Sequence, residues 1–341
     1  MIFGFGGAFM TGFLGTAWPR FVEGKALRKW EVVWLVLTWL ASQWLYFSHQ
    51  LQAGDTAFAA HIASLMLVLA CRLGRGRSIP PPGFAVAFCA LALGFVVTFA
   101  WAAGNLTVWP VWIHQLLRLL AWQGVLLLPI LGVGSYLFAR FFQLPDQRPP
   151  NAPPRRRALG VWLATLLVLF SLGIEAYGFV RTGNLLRLVA ITFWAVLAVP
   201  ALIRGRAPST RAWALRIAIS SLAAAFAIRA VWLESWPPPL YAAEHILFIA
   251  GFGLTILLIA DRVTLGHCAD LSAVKPKSRA WRWIVWLVLL AALTRVSADM
   301  KLSLLVSHHV YAALMWAGVI GVWAAGHLQH WRAKPKDDHC D

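Results

Sequence analysis

Long apolar segments, each close to 20 residues and separated by short polar stretches, run along the whole chain. About 20 residues of helix cross the hydrocarbon core of a bilayer, whereas the strands of a membrane barrel are about half as long and alternate in polarity. The pattern therefore predicts an all-α fold, a polytopic transmembrane helical bundle of eleven spans. The predicted spans are 1–18, 30–47, 57–73, 84–103, 111–141, 158–179, 184–203, 213–234, 240–261, 281–299 and 302–331.

Composition supports the membrane assignment. Hydrophobic residues make up 60% of the 341 positions and charged residues only 13%, and the mean hydropathy is +0.69. A soluble domain of this length could not bury so much apolar surface, but a helical bundle exposes it to lipid without cost. The lipid bilayer is therefore the first partner that the sequence predicts.

The net charge of +17 could indicate nucleic-acid binding, but its distribution excludes that interpretation. Lysine and arginine concentrate in alternate loops, and the intervening loops 48–56, 104–110 and 235–239 contain neither. This is the positive-inside pattern of an inner membrane protein. It predicts a cytoplasmic C-terminus and an outside Met1. The basic stretches are 20–29, 72–77, 140–157, 204–211, 262–282 and 332–336.

One stretch divides the predicted bundle. Residues 143–157 are rich in proline and arginine and predict an extended cytoplasmic linker. We expect it to join two halves, 1–142 and 158–341, of a single integral membrane domain.

Five histidines fall at similar predicted depth, near the outer membrane surface. Ionisable side chains at membrane depth are costly and usually functional, and imidazole is a common ligand of haem iron and copper. We predict a shared cofactor site that uses one of the two adjacent histidines, because these point about 100° apart. The alternative, that each is a hydrogen-bonded packing residue, remains open. The five are His61, His114, His245, His308 and His309.

Arginines within the same predicted half could bind haem propionates, and we select Arg118 and Arg295 for this role. Pairing with carboxylates on neighbouring helices is the alternative. At the predicted inner surface, His327 and His330 share a helix face at i, i+3, which indicates either a second metal site or a solvated helix end.

Two stretches carry a family resemblance. Residues 1–19, MIFGFGGAFMTGFLGTAWP, resemble the segment that follows a His-Ala-His-Glu motif in NnrS proteins. Residues 244–253, EHILFIAGFG, with 261–267, DRVTLGH, resemble the family's H-x-x-x-x-G-x-x-G helix and its TRVSLGH segment. The span count and the last two helices fit as well, so the resemblance covers nearly the whole chain.

The resemblance implies a bacterial inner-membrane protein of about twelve spans that holds haem and copper and protects against nitric oxide and nitrosative stress. It adds to the case for His245 and His267 as metal ligands, and predicted depth adds His308 as a third. The His-Ala-His-Glu motif itself is absent from the sequence. Because an outside start also lacks a signal peptide, we expect a further helix upstream that would give twelve spans.

Catalytic motifs are not recognisable in the sequence, which has no nucleophile elbow, Walker loop or dinucleotide fingerprint. Whether the protein is an enzyme is therefore left open. Two functions remain: a haem and copper protein that responds to nitric oxide, and a transporter whose outer-half charges form a pathway. Helices broken near Pro129 or Pro200 would favour the transporter.

Overall fold

Helices account for all the regular secondary structure in the part of the chain that the computed structural model describes, namely residues 4, 6–74, 76, 81–104, 108–142, 155–204, 207–231, 238–267 and 277–332. The predicted all-α class is confirmed there. The helices are α1 (Gly7–Phe21), α2 (Lys29–Phe47), α3 (Leu51–Leu73), α4 (Pro82–Ala102), α5 (Val111–Leu119), α6 (Val125–Phe141), α7 (Arg155–Ala176), α8 (Val180–Leu197), α9 (Thr210–Val231), α10 (Pro238–His245), α11 (Leu254–His267), α12 (Arg279–Met300) and α13 (Leu305–Arg332).

Two long apolar segments contain a π-helical stretch. Leu120–Gly124 joins α5 to α6, and Ile246–Gly253 joins α10 to α11. Each segment therefore forms one continuous rod with a locally widened turn. Such turns are frequent at functional sites.

Each predicted span coincides with a helix or with one of these rods. Nine described helical segments are long and apolar enough to cross a membrane, beginning with Leu51–Leu73 and ending with Leu305–Leu328. The α1 and α2 helices are not among them, so the count of eleven spans stays a prediction. Together the nine segments describe a multi-pass membrane protein.

Helix α2 shows how far the surface departs from that of a soluble protein. Trp44 is 67% exposed and Phe47 77% exposed, and Trp30, Trp34 and Leu37 are each more than half exposed. Soluble monomers rarely expose so many large apolar side chains on one helix. Lipid is the solvent in which such a face is stable.

Helix starts follow the local sequence. Proline occupies the first turn of α4, where its missing N–H costs no hydrogen bond. At α12 the Ser278 side chain accepts a hydrogen bond from the Trp281 amide at 3.3 Å. Serine is favoured at this position because it satisfies one of the unpaired N–H groups of the first turn.

The chain forms two compact units. The first comprises Met1–Tyr136 and Asp146–Leu186, and the second comprises Leu137–Pro145 and Arg187–Asp341. Residues 143–154 of the predicted linker lie outside the described residues, and Arg155–Arg157 form the first turn of α7 instead of extended chain. The prediction of an extended linker is therefore wrong for these three residues.

Candidate functional site

His245 lies at the junction of α10 with the π-helical stretch, and two charged groups of α12 contact its ring. Its Nδ1 lies 2.5 Å from Oδ2 of Asp299, and its Nε2 lies 2.7 Å from Nη2 of Arg295. A guanidinium nitrogen can only donate, so Nε2 must accept and Nδ1 must carry the proton that is donated to Asp299. The two contacts therefore fix a neutral imidazole with its lone pair on Nε2.

A carboxylate behind the imidazole is the arrangement that orients histidine ligands in metalloproteins. It fixes the tautomer and makes the distal nitrogen a stronger electron donor. Asp299 is well placed for this task because its side chain is only 10% exposed. A second ion pair lies one residue away on α10, where Nη1 of Arg229 contacts Oε1 of Glu244 at 2.7 Å.

His308 bonds to a different face of α12. Its Nδ1 lies 2.7 Å from Oγ of Ser297, which itself donates to the carbonyl of Thr294 at 2.8 Å. The single hydroxyl proton of Ser297 is bound to that carbonyl, so Nδ1 of His308 donates to Ser297, and a neutral His308 ring carries its lone pair on Nε2.

The predicted convergence of His245 and His308 is not what the structure shows. Ser297 lies two residues from both Arg295 and Asp299, which is a rotation of about 200° around an α-helix. The two imidazoles therefore hydrogen-bond to opposite sides of α12. His309 is half-buried on α13, and its Nε2 is buried without a hydrogen-bond partner among the described residues.

In the first unit, His61 is 1% exposed and lies between two threonines. Its Nε2 is 2.9 Å from Oγ1 of Thr11, and its Nδ1 is 3.0 Å from Oγ1 of Thr38. The ring also borders a cavity of about 20 Å³ that is lined mainly by apolar residues, among them Met10 and Leu91. That volume is close to the space of one water molecule.

His114 and Arg118 are less enclosed than His61. His114 is half-buried on α5, and Arg118 is exposed with its guanidinium 5.6 Å from the ring centre of Trp122. His267 is the last residue of α11. No group of three or more His, Cys, Asp or Glu side chains that could hold a metal ion occurs among the described residues.

A second polar cluster, which the sequence did not predict, surrounds Asp261 of α11. Arg211 of α9 binds both carboxylate oxygens, with Nε 2.7 Å from Oδ2 and Nη2 3.2 Å from Oδ1. Nε1 of Trp281 on α12 donates to Oδ1 at 3.0 Å, and Nε2 of His327 on α13 lies 3.3 Å from the same oxygen. We call these four residues the Asp261 cluster.

Two sequence interpretations are corrected by this cluster. His327 is 4% exposed and does not lie at a solvated helix end. Arg211 is buried within α9 and paired, although its sequence position suggested a basic loop. The missed signal was the apolar segment that contains Asp261, because a buried carboxylate requires a cationic partner at the same depth.

A protein-family model described as NnrS protein matches residues 1–333, so the chain belongs to the NnrS family. The comparisons with curated proteins and with solved structures give no match.

Proposed function

We propose that this NnrS family member binds haem and copper in the bacterial inner membrane and acts in the response to nitric oxide and nitrosative stress. Family membership supports the class of function. The observation that carries the proposal within this chain is the fixed tautomer of His245, whose Nε2 lone pair is set by Asp299 and Arg295.

The residues present fit haem better than a copper ion held by protein alone. Haem iron requires only one or two axial ligands, whereas a closed metal site requires three or four. His245 supplies one oriented nitrogen, and the described residues contain no cluster of three ligands. His308 and His309 are further candidates, since a neutral His308 ring carries its lone pair on Nε2 and Nε2 of His309 is buried without a hydrogen-bond partner among the described residues. When bound, haem iron supplies a coordination position for a diatomic ligand.

Arg295 would have two tasks in this proposal. In the structure it donates to the nitrogen that would coordinate the metal. If that nitrogen coordinated haem iron, Arg295 would lose this acceptor, and a haem propionate would be a partner of the right charge and geometry. For His61, His114 and Arg118 of the first unit, for His267 and for copper, a role in cofactor binding stays a prediction.

The test is a comparison of cofactor content. The full chain is purified in detergent from a bacterial host supplied with haem precursor and copper, and haem is measured by its Soret band and copper by mass spectrometry. We expect His245→Ala to lose most of the bound haem, and Asp299→Asn to weaken binding by about 10- to 100-fold, the range for lost orienting partners.

His49→Asn is the control, because His49 is exposed and its φ of 59° is a conformation that asparagine tolerates. It should keep the haem and copper content of the unmodified protein. If His245→Ala also kept both, His245 would be a packing residue and the proposal would lose its carrying observation.

Transport is the second candidate, and the pair of buried Arg229 with half-buried Glu244, beside a π-helical stretch, favours it. Helix breaks near Pro129 and Pro200 are the features that, from the sequence, would favour a transporter. The α6 helix continues through Pro129, and Pro200 begins a single 3-10 turn after α8 ends. A purified protein without haem or copper, whose Glu244→Gln variant changed solute uptake into vesicles, would favour this function.

A further inference from the structure

The two ring nitrogens of His327 both face hydrogen-bond acceptors. Nδ1 lies 2.8 Å from the carbonyl oxygen of Trp323, one turn earlier on α13. Nε2 lies 3.3 Å from Oδ1 of Asp261 on α11. A neutral imidazole has one donor and one acceptor nitrogen, so it can satisfy only one of these oxygens and must turn a lone pair toward the other. Only the imidazolium donates to both.

We propose that protonated His327 is a clamp that holds the C-terminal end of α13 against α11, and that the clamp opens as the pH rises. This device is independent of haem and copper. It uses residues of the second unit only, which come from α9, α11, α12 and α13.

Each helix around the His327 imidazole contributes a group that interacts with the ring or with the Asp261 carboxylate. Asp261 on α11 is the anion that attracts the imidazolium, and Arg211 on α9 is a cation that shares the same carboxylate. Trp281 on α12 donates its indole N–H to that carboxylate, while on α13 the Trp323 ring lies against His327 with centroids 4.5 Å apart. The imidazolium therefore completes a set of donors around one buried carboxylate.

The position of the clamp explains what it would control. Helix α13 packs along α12 and has fewer contacts with α11. Its exposed residues, among them Val306, Leu314 and Leu328, face away from the unit. The His327–Asp261 pair is an ionic link from α13 to α11, so its loss frees one end of a helix that also carries His308 and His309.

The direction of the pH effect follows from the geometry. The protonated form makes both hydrogen bonds, whereas the neutral form loses one of the two donors and the attraction between a positive charge and the Asp261 carboxylate. Folded-state stability should therefore be highest where the imidazole is protonated and should fall as it loses the proton. Histidines titrate in the range of about pH 5 to 8 unless strongly perturbed, so this is the range to scan, with an extension to about pH 9.

Thermal unfolding of the purified full chain tests the proposal. We expect the Tm of the unmodified protein to fall by on the order of 3 °C from the acid to the alkaline end of the scan. The His327→Gln variant has an uncharged amide that does not titrate, so its Tm should not show this fall with rising pH. His49→Asn should keep the full pH dependence because His49 is exposed.

Hydrogen–deuterium exchange of the unmodified protein gives a second, local measurement. After correction for intrinsic rates, peptides covering 319–332 should lose protection at the alkaline end, while peptides covering 51–73 should not. A Tm that does not change with pH, a His327→Gln profile with the original slope, or equal protection of 319–332 at both ends would each overturn the clamp. If His327→Gln did not fold, the exchange result alone would decide.

Discussion

At the scale of single residues, the partners of each histidine determine which nitrogen carries a proton. His245 faces one donor and one acceptor, which fixes a neutral ring. His308 donates to the Ser297 hydroxyl, whose own proton is donated to a backbone carbonyl. His327 faces two acceptors, which favours the charged ring. The protonation of these three histidines of one unit is thus determined by side chains on other helices and, for His327, also by a carbonyl of its own helix. Residue type and depth alone could not distinguish them.

The hydrogen bond between the Thr38 hydroxyl and His61 gives a testable prediction about stability. Thr38 contacts the carbonyl of Trp34 at 2.9 Å and Nδ1 of His61 at 3.0 Å. Thr38→Val keeps the shape but removes the hydroxyl, which leaves one nitrogen of a buried imidazole without that partner. We expect a loss of about 1–3 kcal/mol of folding stability, measured by thermal or denaturant unfolding in detergent.

Thr192→Val is the matched control for this prediction. Thr192 is exposed, and its hydroxyl bonds to its own helix at the Leu188 carbonyl, as that of Thr38 does at Trp34. The difference between the two variants therefore isolates the contact with His61. Equal effects of the two substitutions would mean that the imidazole gains nothing from Thr38.

Part of the candidate site could be predicted from the sequence, and the rest depended on helix rotation. His245 and Arg295 were identified because charged residues in apolar segments are conspicuous. That Asp299 would contact His245 while Ser297 faces away depends on how α12 turns about its axis, which apolar patterning fixes poorly when lipid surrounds part of the helix. The Asp261 cluster was missed for the same reason, because pairing Arg211 with Asp261 requires the contact between α9 and α11.

At the scale of helices, the same arrangement occurs once in each unit. In the first unit a π-helical stretch packs between α4 and α7, and in the second a π-helical stretch packs between α9 and α12. In both, the interrupted rod lies between its neighbours in chain order. The sequences of the two rods show no evident repeat, and a π-helical turn shifts hydrogen bonds by one residue without changing hydrophobicity. Sequence patterning located both rods but could not reveal their interruptions.

The contact between α4 and α6 depends on two glycines. A Cβ on Gly83 would lie 2.2 Å from the carbonyl oxygen of Gly132, and a Cβ on Gly132 would lie 2.2 Å from the carbonyl oxygen of Gly83. Both neighbours are backbone atoms that cannot move aside as a side chain can. We expect Gly83→Ala and Gly132→Ala each to destabilise the protein by about 1–3 kcal/mol or more, despite the higher helix propensity of alanine.

Gly12→Ala is the control for this contact, because Gly12 is also helical and a Cβ there would meet no atom within 4 Å. It should unfold at the same temperature as the unmodified protein or slightly above. Detergent-solubilised variants compared by thermal unfolding give the answer. Unchanged stability of Gly132→Ala would show that the two helices lie farther apart than the structure places them.

At the scale of the whole molecule, hydrophobicity and charge carry different information. Apolar patterning located the helices, as the agreement of the predicted segments with α3, α4 and α12 shows. Orientation depends on lysine and arginine in the loops, and several of these loops lie outside the described residues. The cytoplasmic C-terminus is therefore an independent prediction, and it determines which membrane face is nearer to His245 and which to the Asp261 cluster.

Accessibility of cysteines to a membrane-impermeant maleimide tests this orientation. In a variant with Cys71, Cys89 and Cys268 replaced by serine, the native Cys340 reports which membrane face the C-terminal tail lies on. Asn151→Cys, in a variant without the native cysteines, does the same for the 143–157 segment. Cys340 follows the basic stretch 332–336 and Asn151 lies within the basic stretch 140–157, so we expect no labelling in intact cells and full labelling after permeabilisation. Thr107→Cys, in a loop without lysine or arginine, should be labelled in intact cells and shows that the reagent reaches the outer face. Labelling of Cys340 from outside would invert the orientation, and it would place His245 near the cytoplasmic face and the Asp261 cluster near the outer one.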